Sequence, residues 1–327
     1  MSLVIPRTAF ERAAIRYIRH HRALGKGFRS PAWILSRLAR FLAQRRVMEL
    51  DASTFDAWLR SQQHASGTHR RQQALAARRF CLYRRRTAPD CFVPDPLYFP
   101  RRSPPLPPVI IGPTDIARLL GTIDAWPPHP QLPLRSATYR IAVILLYTAG
   151  LRLGELARLT LPDVDLGNQM LRIRESKFHK TRVVPLSASA GRELRRYLRV
   201  RLAPPWDISV NAPLLGDHHG SAYFRAYNPA SLGTGLRALI RAAGLCDPLG
   251  RYPRVHDIRH SFAVHALLRW YRTGADVQAK LPQLSMYLGH VSIVSTAHYL
   301  HFIPEIAGAA HRRFARYFGP LAQGGVP

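Results

Sequence analysis

Lysine is almost missing from this 327-residue chain, and acidic residues are scarce. The 48 basic side chains face 19 acidic ones for a net charge of +29, yet the lysines are only Lys26, Lys177, Lys180 and Lys280. Such an excess implies a polyanionic partner, or else a solubility device. An arginine bias also follows from a GC-rich genome, so its use is comparative: two of the four lysines fall in one short turn. Cysteine is rare too. Cys81, Cys91 and Cys246 are odd in number and lack Cys-x-x-Cys spacing, which excludes a disulfide framework and a thiolate zinc site. Nor is there a long apolar run. The longest stretch, Ile141 to Tyr147, is far short of a membrane span, and Met1 to Phe10 lacks the apolar core and small-residue cleavage site of a secretory leader. The expectation is a soluble cytoplasmic protein without a membrane partner.

What is present divides the chain. Apolar residues at helical spacing predict a helix over Phe10 to Arg22. A second should open at Ser30-Pro31 as cap and first position, a third at Ser53, and a fourth should run from Thr68 to Arg86, ending in Arg84, Arg85 and Arg86. This is a small basic bundle, read either as an ordinary helical domain with solvated arginines or as a module that grips DNA. Between Pro89 and Pro108 the many prolines forbid continuous helix or a central strand and predict an extended spacer. We therefore expect a helical domain over 1–100, a linker over 101–108 whose Arg101 and Arg102 can touch a DNA backbone, and a second domain over 109–327.

In that second domain, Thr114 should cap a helix, Ala137 to Thr148 should form a buried one, and Gly150 should break it so that Arg152 starts the next. Glu155 is placed to orient Arg152 or a neighbour. Met170 to Arg174 and Arg182 to Leu186 alternate as strands, so Glu175 to Thr181 is the turn carrying Lys177 and Lys180. Helices are expected over Ala190 to Arg201, over Asn228 to Ala243 with Arg237 and Arg241 as backbone contacts, and over Asp276 to Leu288. Two later segments, Val291 to His301 and Ile303 to Phe318, complete the chain. The fold class is mainly α with a small antiparallel sheet.

The stretch with most chemistry is Val255-His256-Asp257-Ile258-Arg259-His260-Ser261-Phe262-Ala263. If Val255 to Tyr271 is helical, Ile258, Phe262, Ala266 and Trp270 form a buried stripe, and His256 and Arg259, three apart, project together beside it. An imidazole and a guanidinium on one turn suit gripping a phosphate and moving a proton on it. A His-x-x-Arg alone is commonplace, and its company gives it weight. Thr148-Ala149-Gly150-Leu151-Arg152-Leu153-Gly154-Glu155-Leu156 and Lys177 to Leu186 lie upstream; Leu288-Gly289-His290 and Thr296-Ala297-His298-Tyr299 lie downstream.

In this order and spacing the five blocks resemble the tyrosine site-specific recombinases, the phage-integrase family, over roughly Ile110 to Phe318. The resemblance implies a catalytic domain with a C-terminal tail, preceded by a core-binding bundle. It makes Tyr299 the nucleophile, Arg152 and Arg259 the phosphate-clamping arginines, Lys177 the hairpin lysine with Lys180 as its alternative, and His256 and His290 the two histidines. The hairpin lysine of the family usually lies between glycines, whereas Lys177 lies between Ser176 and Phe178. The implied activity is strand exchange through a 3′-phosphotyrosine without ATP, metal or other cofactor. Its setting would be integration, excision or transposition of a mobile element. Partners would be double-stranded DNA in the nucleoid, further copies in a tetrameric synapse and, in some systems, accessory recombinases.

Three rivals remain. His256 and His260 are four apart, as in zinc-protease helices, but Asp257 stands where a Glu is needed; Asp163 and Asp165 would suit magnesium in a nuclease. A relaxing topoisomerase would use the same tyrosine chemistry, and a silent DNA-binding protein would keep the fold alone.

Overall fold

Small polar side chains open most of the helices. In the computed structural model, which describes residues 8–25, 27–104, 106–174, 181–204, 206, 208–218, 224–289 and 308, the chain forms two compact units, Met1–Leu106 and Pro107–Pro327. In the first, Thr8 and Glu11 cap α1 (Ala9–Ala23) reciprocally. Helix α2 (Arg29–Gln44) departs from expectation. Its cap is Phe28, in left-handed backbone at φ 44°, so Ser30 and Pro31 lie inside the first turn. Proline is tolerated there because first-turn N–H groups have no partner within the helix. Ser53 is not the cap of α3 (Ala52–Arg60) either. Asp51 accepts from the Thr54 N–H at 2.7 Å, and Ser53 donates to that carboxylate. Ser66 caps α4 (Gly67–Arg84). Phe10, Leu35, Leu38, Trp58 and Phe80 fill the core, with the Phe10 and Phe80 rings edge to face at 5.1 Å.

The second unit is also largely helical. Its helices are α5 (Pro113–Asp124), α6 (Arg135–Thr148), the single turn α7 (Leu153–Leu156), α8 (Ala188–Arg201), α9 (Pro229–Ala242), α10 (Val255–Arg272) and α11 (Val277–Leu288). Strands β1 (Val164–Asp165), β2 (Met170–Ile173) and β3 (Arg182–Pro185) form an antiparallel sheet, with Met170 opposite Pro185 and Ile173 opposite Arg182. Leu171, Ile173 and Val184 point to the core, as period-two alternation requires. A second two-stranded sheet, β4 (Gly216–His218) with β5 (Phe224–Ala226), was not anticipated. The fold class is thus mainly α with small antiparallel sheets.

Helix α10 is enclosed on more sides than one stripe predicts. Ile258, Ala263, Val264 and Leu267 are fully buried, while Phe262 and Trp270 are only half-buried. The Ser261 hydroxyl ties the helix to the start of the unit, accepting from the Ile111 N–H and donating to the Asp257 carbonyl, both at 2.8 Å. Among the described residues no helix is long and apolar enough to cross a membrane.

Candidate active site

Two glycines with positive φ turn the chain at the ends of long helices, and their carbonyls face the arginines. Gly150 (φ 58°) follows α6; a β-carbon there would lie 2.7 Å from the Phe262 ring. Gly289 (φ 65°) ends α11; a β-carbon there would lie 2.9 Å from Arg182 Nη1. Both positions therefore favour glycine for conformation, and Gly150 needs it for room as well.

Arg152 is the cap residue of α7, and its guanidinium donates to Glu155 Oε1 at 2.7 Å and to the Gly289 carbonyl at 2.8 Å. Arg259, 1% exposed, donates to the Gly150 carbonyl at 2.6 Å and to the Leu288 carbonyl, with Nη1 3.8 Å from Glu155 Oε2. The two expected phosphate-clamping arginines thus share one carboxylate and adjacent carbonyls. Glu155 orients Arg152, as anticipated. It also takes two bonds from Arg182, at 3.0 and 2.9 Å, which the sequence reading had not assigned to the site. An arginine at a strand start has no signature of its own. The only cue was its place in the block Lys177 to Leu186.

Burial pushes the Glu155 carboxyl up, but hydrogen bonds from Arg182 and from the Arg152 backbone and side chain, with the charge of Arg182, outweigh it and hold the group at about 2. It is a permanent anion at neutral pH. His256 lies one turn before Arg259 on the accessible side of α10. Loss of hydration, then the charge of Arg259, lower its pKa; Asp257 opposes the shift, and Arg152 and Arg254 add to it. The ring is therefore neutral near pH 7 and able to accept a proton. His260 packs edge to face on it at 4.6 Å between centroids and is itself lowered to about 4, chiefly by burial.

Lys177, Lys180, His290 and Tyr299 lie outside the described residues. Of the arginines expected to touch DNA, Arg85, Arg86, Arg101, Arg102, Arg237 and Arg241 are exposed. Arg84 is a correction: it is 7% exposed, pairs with Glu49 at 2.8 Å and lies over the Phe10 and Phe80 rings, so the bundle interior uses its charge. The carboxylates of the nuclease rival are already engaged. Asp163 accepts from Thr160 and Arg174, and Asp165 from Asn168. No cluster of three or more His, Cys, Asp or Glu side chains that could hold a metal occurs among the described residues.

Comparison with known proteins follows the same outline. Residues 113–305 match the phage integrase family. A Sinorhizobium fredii protein named "Putative integrase/recombinase y4rB" is 34% identical over 94% of this chain and 98% of its own length. The tyrosine recombinase XerD of Ralstonia nicotianae is 28% identical over 80% of this chain and 78% of its own. Among solved structures, the integrase of transposon Tn1549 in complex with transposon right end DNA superimposes with a TM-score of 0.63 at 18% identity, covering 93% of this chain and 98% of that one, a likeness of fold. With its matched segment spanning the Arg152 turn, the hairpin and α10, the chain belongs to the phage integrase family of tyrosine recombinases.

Proposed function

We propose that this recombinase cleaves and rejoins double-stranded DNA through a 3′-phosphotyrosine on Tyr299, in the integration, excision or transposition of a mobile element. The observation that carries the reading is the convergence of Arg152 and Arg259, from segments 107 residues apart, on Glu155 and the end of α11, with His256 one turn away. The two guanidiniums are the proposed partners of the non-bridging oxygens of a phosphodiester, where they would stabilise charge that grows as a fifth oxygen approaches phosphorus.

A tyrosine hydroxyl has a pKa near ~10 and attacks poorly unless cations stabilise the forming phenolate. In the proposed step Tyr299 Oη bonds to phosphorus, its proton passes toward neutral His256, and the bond to the 5′ oxygen breaks. Lys177, or Lys180 in its place, protonates that leaving oxygen; His290 hydrogen-bonds a phosphate oxygen. The phosphotyrosine conserves the bond energy, so a 5′ hydroxyl from another duplex reverses the step and joins new strands without ATP or metal. Exposed Arg85, Arg86, Arg101, Arg102, Arg237 and Arg241 are the proposed backbone contacts, and a tetramer on DNA, with accessory recombinases where required, is the proposed assembly. The names of the relatives support the mobile-element setting.

The test is a nicked suicide substrate carrying a family of candidate sites. Wild-type protein should form a denaturant-resistant DNA adduct in the presence of chelator, and Tyr299→Phe should form none while still binding DNA. An adduct that survives Tyr299→Phe removes the assignment. Supercoil relaxation with no exchanged sites would favour a topoisomerase.

A further inference from the structure

The proposed chemistry employs Arg152, His256 and Arg259 but leaves Arg182 without a task. Arg182 starts β3, its side chain is only 11% exposed, and its donors are turned inward. Nη1 and Nη2 donate to the two oxygens of Glu155 at 3.0 and 2.9 Å, and Nε donates to the Tyr287 carbonyl at 2.8 Å. The end of α11 shows what this contact belongs to. Tyr287, Leu288 and Gly289 present three successive carbonyls, which accept from Arg182, Arg259 and Arg152 respectively. These are orphan acceptors at the negative end of the helix, and each is satisfied by an arginine from a different segment. The same three arginines meet at Glu155.

We propose that Arg182 is a positioning residue for the recombination reaction: it holds Glu155 and the end of α11 in register, so that Arg152 and Arg259 meet a phosphate already aligned. The proposal rests on the recombinase reading of this site. Its physical basis is the fork of the guanidinium. One planar group bridges a carboxylate with two parallel bonds and a helix end with a third, whereas an ammonium at that position supplies charge without the fixed geometry. Glu155 is 3% exposed, so its charge depends on that bridge. Among the described residues, the groups facing Glu155 are Arg152 from its own turn, Arg182 from β3 and Arg259 from α10; Arg158, Asp163 and Arg174 line the small cavity beside it. Without Arg182, burial acts on Glu155 with less opposition, its pKa rises from about 2, and at lower pH its hold on Arg152 is lost.

The experiment follows single-turnover adduct formation on the suicide substrate against pH for wild type, Arg182→Met and Arg182→Lys, with DNA affinity measured in parallel. Arg182→Met should slow adduct formation on the order of 10²-fold, the scale of a misplaced catalytic group, with little loss of DNA affinity. It should also steepen the acid decline that His256 sets in wild type, because Glu155 then titrates alongside it, and Arg182→Lys should reduce that added decline without restoring the full rate. Wild-type rate and pH profile in Arg182→Met would overturn the proposal. Should Arg182→Met fail to fold, Arg182→Lys decides alone: a slowed reaction supports the role and an unchanged one overturns it. An NMR titration of the Glu155 carboxyl in DNA-free protein separates this proposal from the functional reading. Absence of any adduct with wild type defeats the recombinase mechanism, whereas a Glu155 titration unmoved by Arg182→Lys defeats the positioning role even if wild type cleaves.

Discussion

Both units bury arginine, and the company it keeps differs. In Met1–Leu106, Arg84 pairs with one carboxylate, Glu49, and lies over two phenylalanine rings, a one-to-one pairing. In Pro107–Pro327, Arg152, Arg182 and Arg259 gather on the single carboxylate Glu155, and helix-end carbonyls supply the remaining acceptors described for them. Carbonyls orient a cation but carry only partial charge. The first arrangement stabilises a core. Among the described residues the second sets three guanidiniums around one carboxylate, the arrangement on which the proposed phosphate site rests.

The largest expected effect would break this contrast if it failed. Arg259→Ala should lower the rate of adduct formation by roughly 10²–10³-fold, the cost of losing one aimed donor. Arg84→Met should leave that rate near wild type and act on stability; equal losses in the two variants would mean that both arginines merely hold the fold. Next come the carboxylates. Glu155→Gln strands buried cations and should destabilise by about 3–5 kcal/mol in denaturant titration. Glu49, whose side chain is 52% exposed, should cost no more than ~1 kcal/mol when changed to Gln. Comparable costs would remove the distinction between a shared and a private carboxylate.

The pH dependence sharpens it further. Because the folded Glu155 carboxyl is depressed to about 2, its stabilisation is complete above the usual carboxylate range and is lost as pH falls toward 2. Thermal unfolding between pH 5 and 2 should show that loss in wild type and much less of it in Glu155→Gln. In the proposed reaction His256 takes a proton and must be neutral, so adduct formation should decline on the acid side as His256 protonates, and its lowered pKa should keep activity flat near neutrality. The smallest effects belong to exposed arginines. Arg85→Gln or Arg237→Gln should shift stability within about ±0.5 kcal/mol, weaken DNA binding, and reduce the slope of log affinity against log salt by about 1 for each true phosphate contact.

How far the sequence could be read varies by region for physical reasons. Helix α10 and the strands of the hairpin declare themselves by periodicity, whereas Arg152, His256 and Arg259 were singled out by the family resemblance that their blocks carry. The caps of α2 and α3 did not follow the nearest serine, because Phe28 takes a left-handed turn and Asp51 is the better acceptor. Four basic residues that read alike met different fates. Arg85 and Arg86 are exposed, Arg84 faces the bundle interior one position earlier on its helix, and Arg201 at the end of α8 is fully buried over the Phe224 ring. Charge predicts a solvated face, and only packing reveals which guanidinium has been taken inside with its acceptors.

By itself the sequence determined the mostly helical class, since turn glycines and hydrophobic period act over a few residues, and its resemblance to a known family singled out Arg152 and Arg259 as candidates. What only the tertiary structure decided is how those arginines are held. Glu155, Arg182 and the carbonyls of Tyr287, Leu288 and Gly289 come from three distant segments, and nothing local in any of them announces the others. Their meeting follows from the long-range demand that buried ions and helix ends find partners, which folding satisfies and which no short stretch of chain encodes.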